Sequence, residues 1–139
     1  MLGNDGRKKR VVYSIYEYDP QIDSSNMTSN EYQQLARHIQ SAYHSYDGFV
    51  IVHGTDTMAY SSAALSFMLE NLGKPVIFTG SQKPMAEIRS DAIGNLQGAL
   101  ILAGTIIIPE VGLFFNRRLF RGNRVVKYDT EGRCNIHRI

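Results

Sequence analysis

Thr55, Asp56 and Thr57 stand side by side just after the apolar run at 49–52 and Gly54, where a helical pattern begins. Two hydroxyls and a carboxylate at the positive end of a helix dipole suit a small polar ligand. Other groups are spaced to join them: Ser24 in the polar loop 22–27, Ser81 and Gln82 after the run 76–79, and Lys127 beyond the run 111–115. A threonine hydroxyl is a poor nucleophile at neutral pH until a base removes its proton. Lysine can be that base when burial lowers its pKa, and a neighbouring carboxylate can hold it in place. Thr55, Lys127 and Asp56 thus have the makings of a relay with the logic of the Ser-Lys variants of the catalytic triad. On spacing alone, the competing reading is that Thr-Asp-Thr only caps a helix.

The elements that must hold these groups follow from periodicity. Phe49, Val50, Ile51 and Val52 form an unbroken apolar run between Asp47-Gly48 and Gly54, the pattern of a strand buried on both faces. Residues 76–79 and 111–115 read the same way, and residues 11–18, β-branched and aromatic, read as an earlier strand. Thr28 with Glu31 three residues on is a capping box, and Leu35, Ile39, Ala42 and Tyr43 continue with helical spacing. A second helix is expected over 57–71, stopped by Gly73 and Pro75, and a third from 90 or 91 to about 103. A last short strand is expected at 124–128. Strands alternating with helices on short loops predict an α/β fold: a three-layer, Rossmann-like sandwich with a mainly parallel sheet. Ligands bind such sheets at the carboxyl ends of the strands, where Thr55 and Ser81 fall.

Composition narrows the class. The 139 residues suffice for one domain, and 43% hydrophobic with 20% charged residues is ordinary globular usage. A net charge of +2 gives no case for a nucleic-acid partner, and the basic cluster 7–10 is expected to be part of a solvated lead-in. No apolar stretch suggests a signal peptide or a membrane span, and the one cysteine, Cys134, fits a reducing, cytoplasmic setting. His38 and His44 have no partner at metal-ligand spacing and are expected on the surface. His53, at a strand end, is expected to be packed and hydrogen-bonded.

Several separated motifs then carry a resemblance. His53-Gly54-Thr55-Asp56-Thr57-Met58, the loop Asp23-Ser24-Ser25-Asn26-Met27, and Arg121-Gly122-Asn123-Arg124 leading to Lys127 resemble the bacterial-type L-asparaginases, closest to their type I, cytosolic branch. Residues 67–76 and Thr79-Gly80-Ser81-Gln82 fit the same pattern. The resemblance implies an amidohydrolase that turns L-asparagine into aspartate and ammonia through a threonine ester. It implies no metal or organic cofactor, and a homo-oligomer, dimer or tetramer. Thr55 and Asp56 match the second catalytic threonine and the aspartate that holds the substrate α-amino group, and Lys127 matches the lysine of that relay. Ser24 matches the serine on the α-carboxylate, Asp23 and Ser25 line its loop, and Ser81 and Gln82 are placed near the bound amide.

The family's first catalytic threonine lies in a Gly-Gly-Thr turn after an N-terminal strand, followed by a loop with a catalytic tyrosine. Neither is found before residue 11. Thr105, in Ala103-Gly104-Thr105-Ile106, resembles that turn in letters but connects a helix to a strand and is not expected to act. The chain is therefore expected to be a partial asparaginase N-terminal domain over 1–139, lacking the first strand and the C-terminal domain, with lead-in 1–10 and an irregular tail 131–139. An inactive paralogue or fragment that binds Asp or Asn, or only associates with other subunits, is the alternative.

Overall fold

Val76, Ile77, Phe78 and Thr79 are each at most 1% exposed, which requires a layer of structure on both faces of the strand they form. The computed structural model, which describes residues 10–128 and 136–138, supplies both layers. Strand β2 (Val76–Thr79) lies between β1 (Phe49–Val52) and β3 (Val111–Phe115), parallel to each. Strand β4 (Arg118–Arg121) turns back antiparallel on β3, giving the order β1-β2-β3-β4.

Alternation along the strands sorts side chains to the two faces. Val76 and Phe78 of β2, with Val111, Leu113 and Phe115 of β3, meet Ile39 of α1 (Ser29–Ala42) and Met58 and Leu65 of α2 (Met58–Met68). On the other face Ile77, Val50 and Phe114 meet Ala99 and Ala103 of α3 (Ala92–Thr105). The three-layer α/β reading therefore holds. The capping box holds as well: Asn30 N–H donates to Thr28 Oγ1 at 3.2 Å, and Thr28 N–H donates to Glu31 Oε2 at 2.8 Å. At the far end of α1, Lys74 Nζ donates to the carbonyls of Tyr43 and Tyr46 and lies 4.6 Å from the Tyr43 ring centroid. It binds the approach to β2 to the 3-10 turn Tyr43–Ser45 that follows α1, where chain-end carbonyls otherwise lack partners. Among the described residues no helix is long and apolar enough to cross a membrane.

The structure departs from expectation in five places. Residues 11–18 form no strand, because no described strand lies beside them to complete a ladder. Val12, Tyr13, Ile15 and Tyr16 are exposed. His38, expected on the surface without a partner at metal-ligand spacing, is half-buried and engaged by that segment. The Tyr16 ring centroid lies 3.8 Å from its own, and Tyr18 Oη and His38 Nδ1 share a hydrogen bond of 3.2 Å. Helix α2 ends at Met68, ahead of the expected 71, and Asn71 takes a left-handed φ of 55°. The tail is not wholly irregular, since β6 (Ile136–Arg138) pairs antiparallel with β5 (Val125–Lys127), within the span expected for the last strand, and buries Ile136. The remaining tail positions and lead-in residues 1–9 lie outside the described residues.

The fifth is β4 itself, hidden in the sequence because its turn is made without glycine. Phe115 pairs with Arg118, so Asn116 and Arg117 alone make the turn, with φ of 48° and 61°. Two successive left-handed residues match the right-handed twist of a hairpin, but Arg carries a Cβ that disfavours the conformation. Arg117→Gly is therefore expected to raise stability by about 0.5–1 kcal/mol, after allowing for the entropy of glycine in the unfolded chain. A shift of the urea midpoint to higher concentration at constant m-value checks this, and an unchanged or lower midpoint contradicts it.

Candidate active site

Parallel strands release their chains on the same side of the sheet, so the loops after β1 and β2 emerge together. The pairing runs one residue beyond β1, where His53 N–H donates to Thr79 O at 2.8 Å. Gly80 follows, and a Cβ there would lie 2.2 Å from His53 O. On the other side of the β1 exit, a Cβ on Gly54 would lie 2.2 Å from Ser24 Oγ. These two glycines let three chain segments close on one point, and any larger side chain would push them apart.

Ser24 sits in a single 3-10 turn, Ser24–Asn26, with Asp23 as its cap. Ser25 N–H donates to Asp23 Oδ1 at 2.9 Å, and that bond to the ionised form holds the Asp23 carboxyl below its usual range. Thr57 fastens the turn to the β1 exit, its Oγ1 donating to Ser24 O at 2.6 Å. Thr57 is also the N-cap of α2 but makes no side-chain capping bond there. At this position the helix-capping reading fails, because the hydroxyl is committed to the neighbouring loop.

Lys127 arrives from the second, two-stranded sheet. Val125 at the start of β5 is buried in the same core cluster as Met58 and Leu65 of α2, which fixes where Lys127 projects. Its Nζ donates to Thr55 Oγ1 at 3.2 Å and to Asp56 Oδ1 at 3.0 Å. The lysine side chain is 18% exposed, the Asp56 side chain 70%. A pair with one partner this open adds little to stability. Its effect is positional: a nitrogen is held within proton-transfer reach of a hydroxyl, while the carboxylate stays accessible to a cationic group.

Ser81 and Gln82, both half-buried, continue from Gly80 on the adjacent loop. Gln82 N–H donates to both Asp91 carboxylate oxygens at 3.1 Å, and Gln82 Oε1 is buried with no partner among the described residues. Asp23, Ser24, Ser25, Thr55, Asp56, Ser81, Gln82 and Lys127 thus share the carboxyl end of the parallel sheet. Thr105 does not. It closes α3, where the chain returns toward the start of β3, and its Oγ1 donates back to Ile101 O. Sequence reasoning missed the part played by Thr57, Asp91 and Asn95. Asn95 carried a usable signal, as a polar residue within an apolar helix face, and it is only 3% exposed.

Comparison with known proteins identifies the family and the fold. The family described as "Asparaginase, N-terminal" matches residues 5–137. L-asparaginase 1 of Escherichia coli K12 is 59% identical over 126 residues, which cover 91% of this chain and 37% of that protein. The crystal structure of L-asparaginase I from Vibrio cholerae superposes with a TM-score of 0.86 at 56% identity, covering 90% of this chain and 38% of that one. The structure described as a probable cytoplasmic L-asparaginase from Campylobacter jejuni gives 0.72 at 33% identity, covering 77% and 35%. The chain therefore spans less than two fifths of each of these proteins.

His53 lies at the edge of the cluster and is packed, as expected. Its Nδ1 is bonded to Gly54 O at 2.8 Å, its ring tilts against Phe78, and Nε2 is buried with no partner among the described residues. Burial pushes its pKa below the ordinary 6.5. The folded ring is neutral, with Nδ1–H donating to Gly54 O. As pH falls from 6.5 toward the lower folded value, the unfolded chain takes up a proton that the folded chain refuses, so stability falls across that window. Thermal melts at stepped pH should show the loss, and His53→Asn should shrink it. An equal loss in the variant would contradict this origin.

Proposed function

Because this chain belongs to the asparaginase family, we propose that it carries the substrate-binding loops and the proton relay of an L-asparagine amidohydrolase. The observation that carries the reading is Lys127 Nζ held at 3.2 Å from Thr55 Oγ1 and 3.0 Å from Asp56 Oδ1. A free amino acid presents a carboxylate and an ammonium at fixed separation. Ser24, in the turn capped by Asp23 and flanked by Ser25, takes the carboxylate, and the open Asp56 carboxylate takes the ammonium. At about 4 Å such a charge pair gains roughly 1 kcal/mol in bulk water and about 4 near a protein surface.

With both ends held, the side-chain amide carbon lies over the Thr55 hydroxyl, with Ser81 and Gln82 lining the amide. Lys127 takes the Thr55 proton as Oγ1 bonds to the amide carbon. Backbone N–H groups of the converging loops stabilise the oxyanion. Collapse of the tetrahedral centre breaks the C–N bond, and the departing nitrogen receives that proton from Lys127 and leaves as ammonia. Water then cleaves the threonine ester by the same proton path, releasing aspartate and restoring Thr55. The steps use no metal or organic cofactor. We place the activity in the cytoplasm and within a homo-oligomer; the first is supported by the likeness to the Campylobacter protein.

Ammonia release from L-asparagine by the purified chain tests the reading. Thr55→Val removes the hydroxyl at nearly constant shape, and Lys127→Met removes the base. Each is expected to lower turnover about 10²-fold or more with unchanged circular dichroism. Full turnover by Thr55→Val would show that the relay is the wrong site.

A further inference from the structure

The loop after β2 is fastened by an arrangement that helix capping alone does not require. Asp91 is the N-cap of α3, yet its side chain makes no capping bond to that helix. Ser90 fills that role, its Oγ accepting from Ala92 N–H at 3.2 Å while donating to Lys83 O at 3.0 Å. The Asp91 carboxylate is thereby free to reach across, where it accepts from Gln82 N–H and Lys83 N–H at 3.1 Å. One turn further on, Asn95 Nδ2 donates to Asp91 Oδ2 and to Gly80 O, each at 2.9 Å. Its Oδ1 accepts from Asn116 N–H at 3.0 Å, in the hairpin turn after β3. Four backbone groups of residues 80–83 are thus bound by three side chains from the start of α3, and the loop is set against a rigid helix.

We propose that Asp91 and Asn95 are positioning residues, which hold the loop of Ser81 and Gln82 at the distance needed to grip the ligand's side-chain end. The inference rests on the amidohydrolase reading of this site. Neither residue touches the ligand. Asp91 acts through two charge-assisted bonds to backbone N–H groups, and Asn95 keeps its carboxylate aimed while being almost wholly buried.

The test uses the full chain and L-aspartate, the reaction product, as probe. Its affinity is read by NMR titration, alongside amide hydrogen exchange of Gln82 and Lys83 without ligand. Asp91→Ala should speed exchange at both amides and weaken L-aspartate by about tenfold, the equivalent of one charge-assisted bond, with exchange in β1, β2 and β3 unchanged. Asp91→Asn keeps one acceptor and the same shape, so it should fall between on both readouts and stands in if Asp91→Ala does not fold. If L-aspartate binds, Asp56→Asn abolishes binding, and both Asp91 variants bind as tightly as wild type, the positioning role is overturned while the site stands. If wild type shows no response to L-aspartate, the site reading itself fails and this inference with it.

Discussion

The site depends on one constraint, the parallel register of β1 against β2. Ile51 pairs with Phe78 and Val52 with Thr79, and the ladder continues through His53 N–H to Thr79 O. That register sets Gly80 level with His53 and Gly54 one residue beyond, at the same carboxyl edge. A slip of one residue would turn Val76 and Phe78 from α2 toward α3 and would separate the two exit loops. The burial of all four β2 side chains makes such a slip costly, at about 1.5–3 kcal/mol for each large apolar group misplaced. Hydrophobic packing of the central strand thus sets the spacing of polar groups at its end.

The remaining contacts divide the work. Core packing brings β5 beside α2, and Lys127 follows because it is two residues beyond the buried Val125. Short polar ties fix the loops: Thr57 holds the Ser24 turn, and Asp91 with Asn95 holds the Gln82 loop. Glycine is used where backbone meets another segment closely, at Gly54 and Gly80. The exposed members, Asp56 above all, are left with open faces, which is how a charged ligand can reach a surface that the core has organised.

Much of this was legible in the sequence, for identifiable reasons. The strands at 49, 76 and 111 announce themselves because their apolar runs are unbroken, but only β2 and β3 are buried on both faces: β1, expected to be so as well, lies at the edge of the described sheet with Val52 exposed. The capping box is a local signal that tertiary structure did not override. Thr55 and Asp56 were found from their place at a strand-to-helix turn; the relay with Lys127 was drawn from residue types, and the resemblance supported it across a sequence separation of 72. The failures are equally physical. Residues 11–18 have strand composition, but a strand requires a neighbour that no local pattern reveals. The hairpin after β3 was hidden by Asn116 and Arg117, which adopt left-handed backbone without glycine to mark it. Thr57, Asp91 and Asn95 were missed because each bonds to backbone far along the chain or across a loop, and such a partner leaves no trace in spacing.

The central claim is that loops 23–25, 55–57 and 81–82 and the side chain of Lys127 form one ligand site. Chemical-shift mapping of the ¹⁵N-labelled chain during addition of L-aspartate tests it most directly. The account predicts saturable shifts concentrated at Ser24, Ser25, Thr55, Asp56, Ser81 and Gln82, with the Lys127 side chain responding at the same ligand concentration. Shifts that centre elsewhere on the chain, or that leave Thr55 and Lys127 unmoved while other residues saturate, would contradict it.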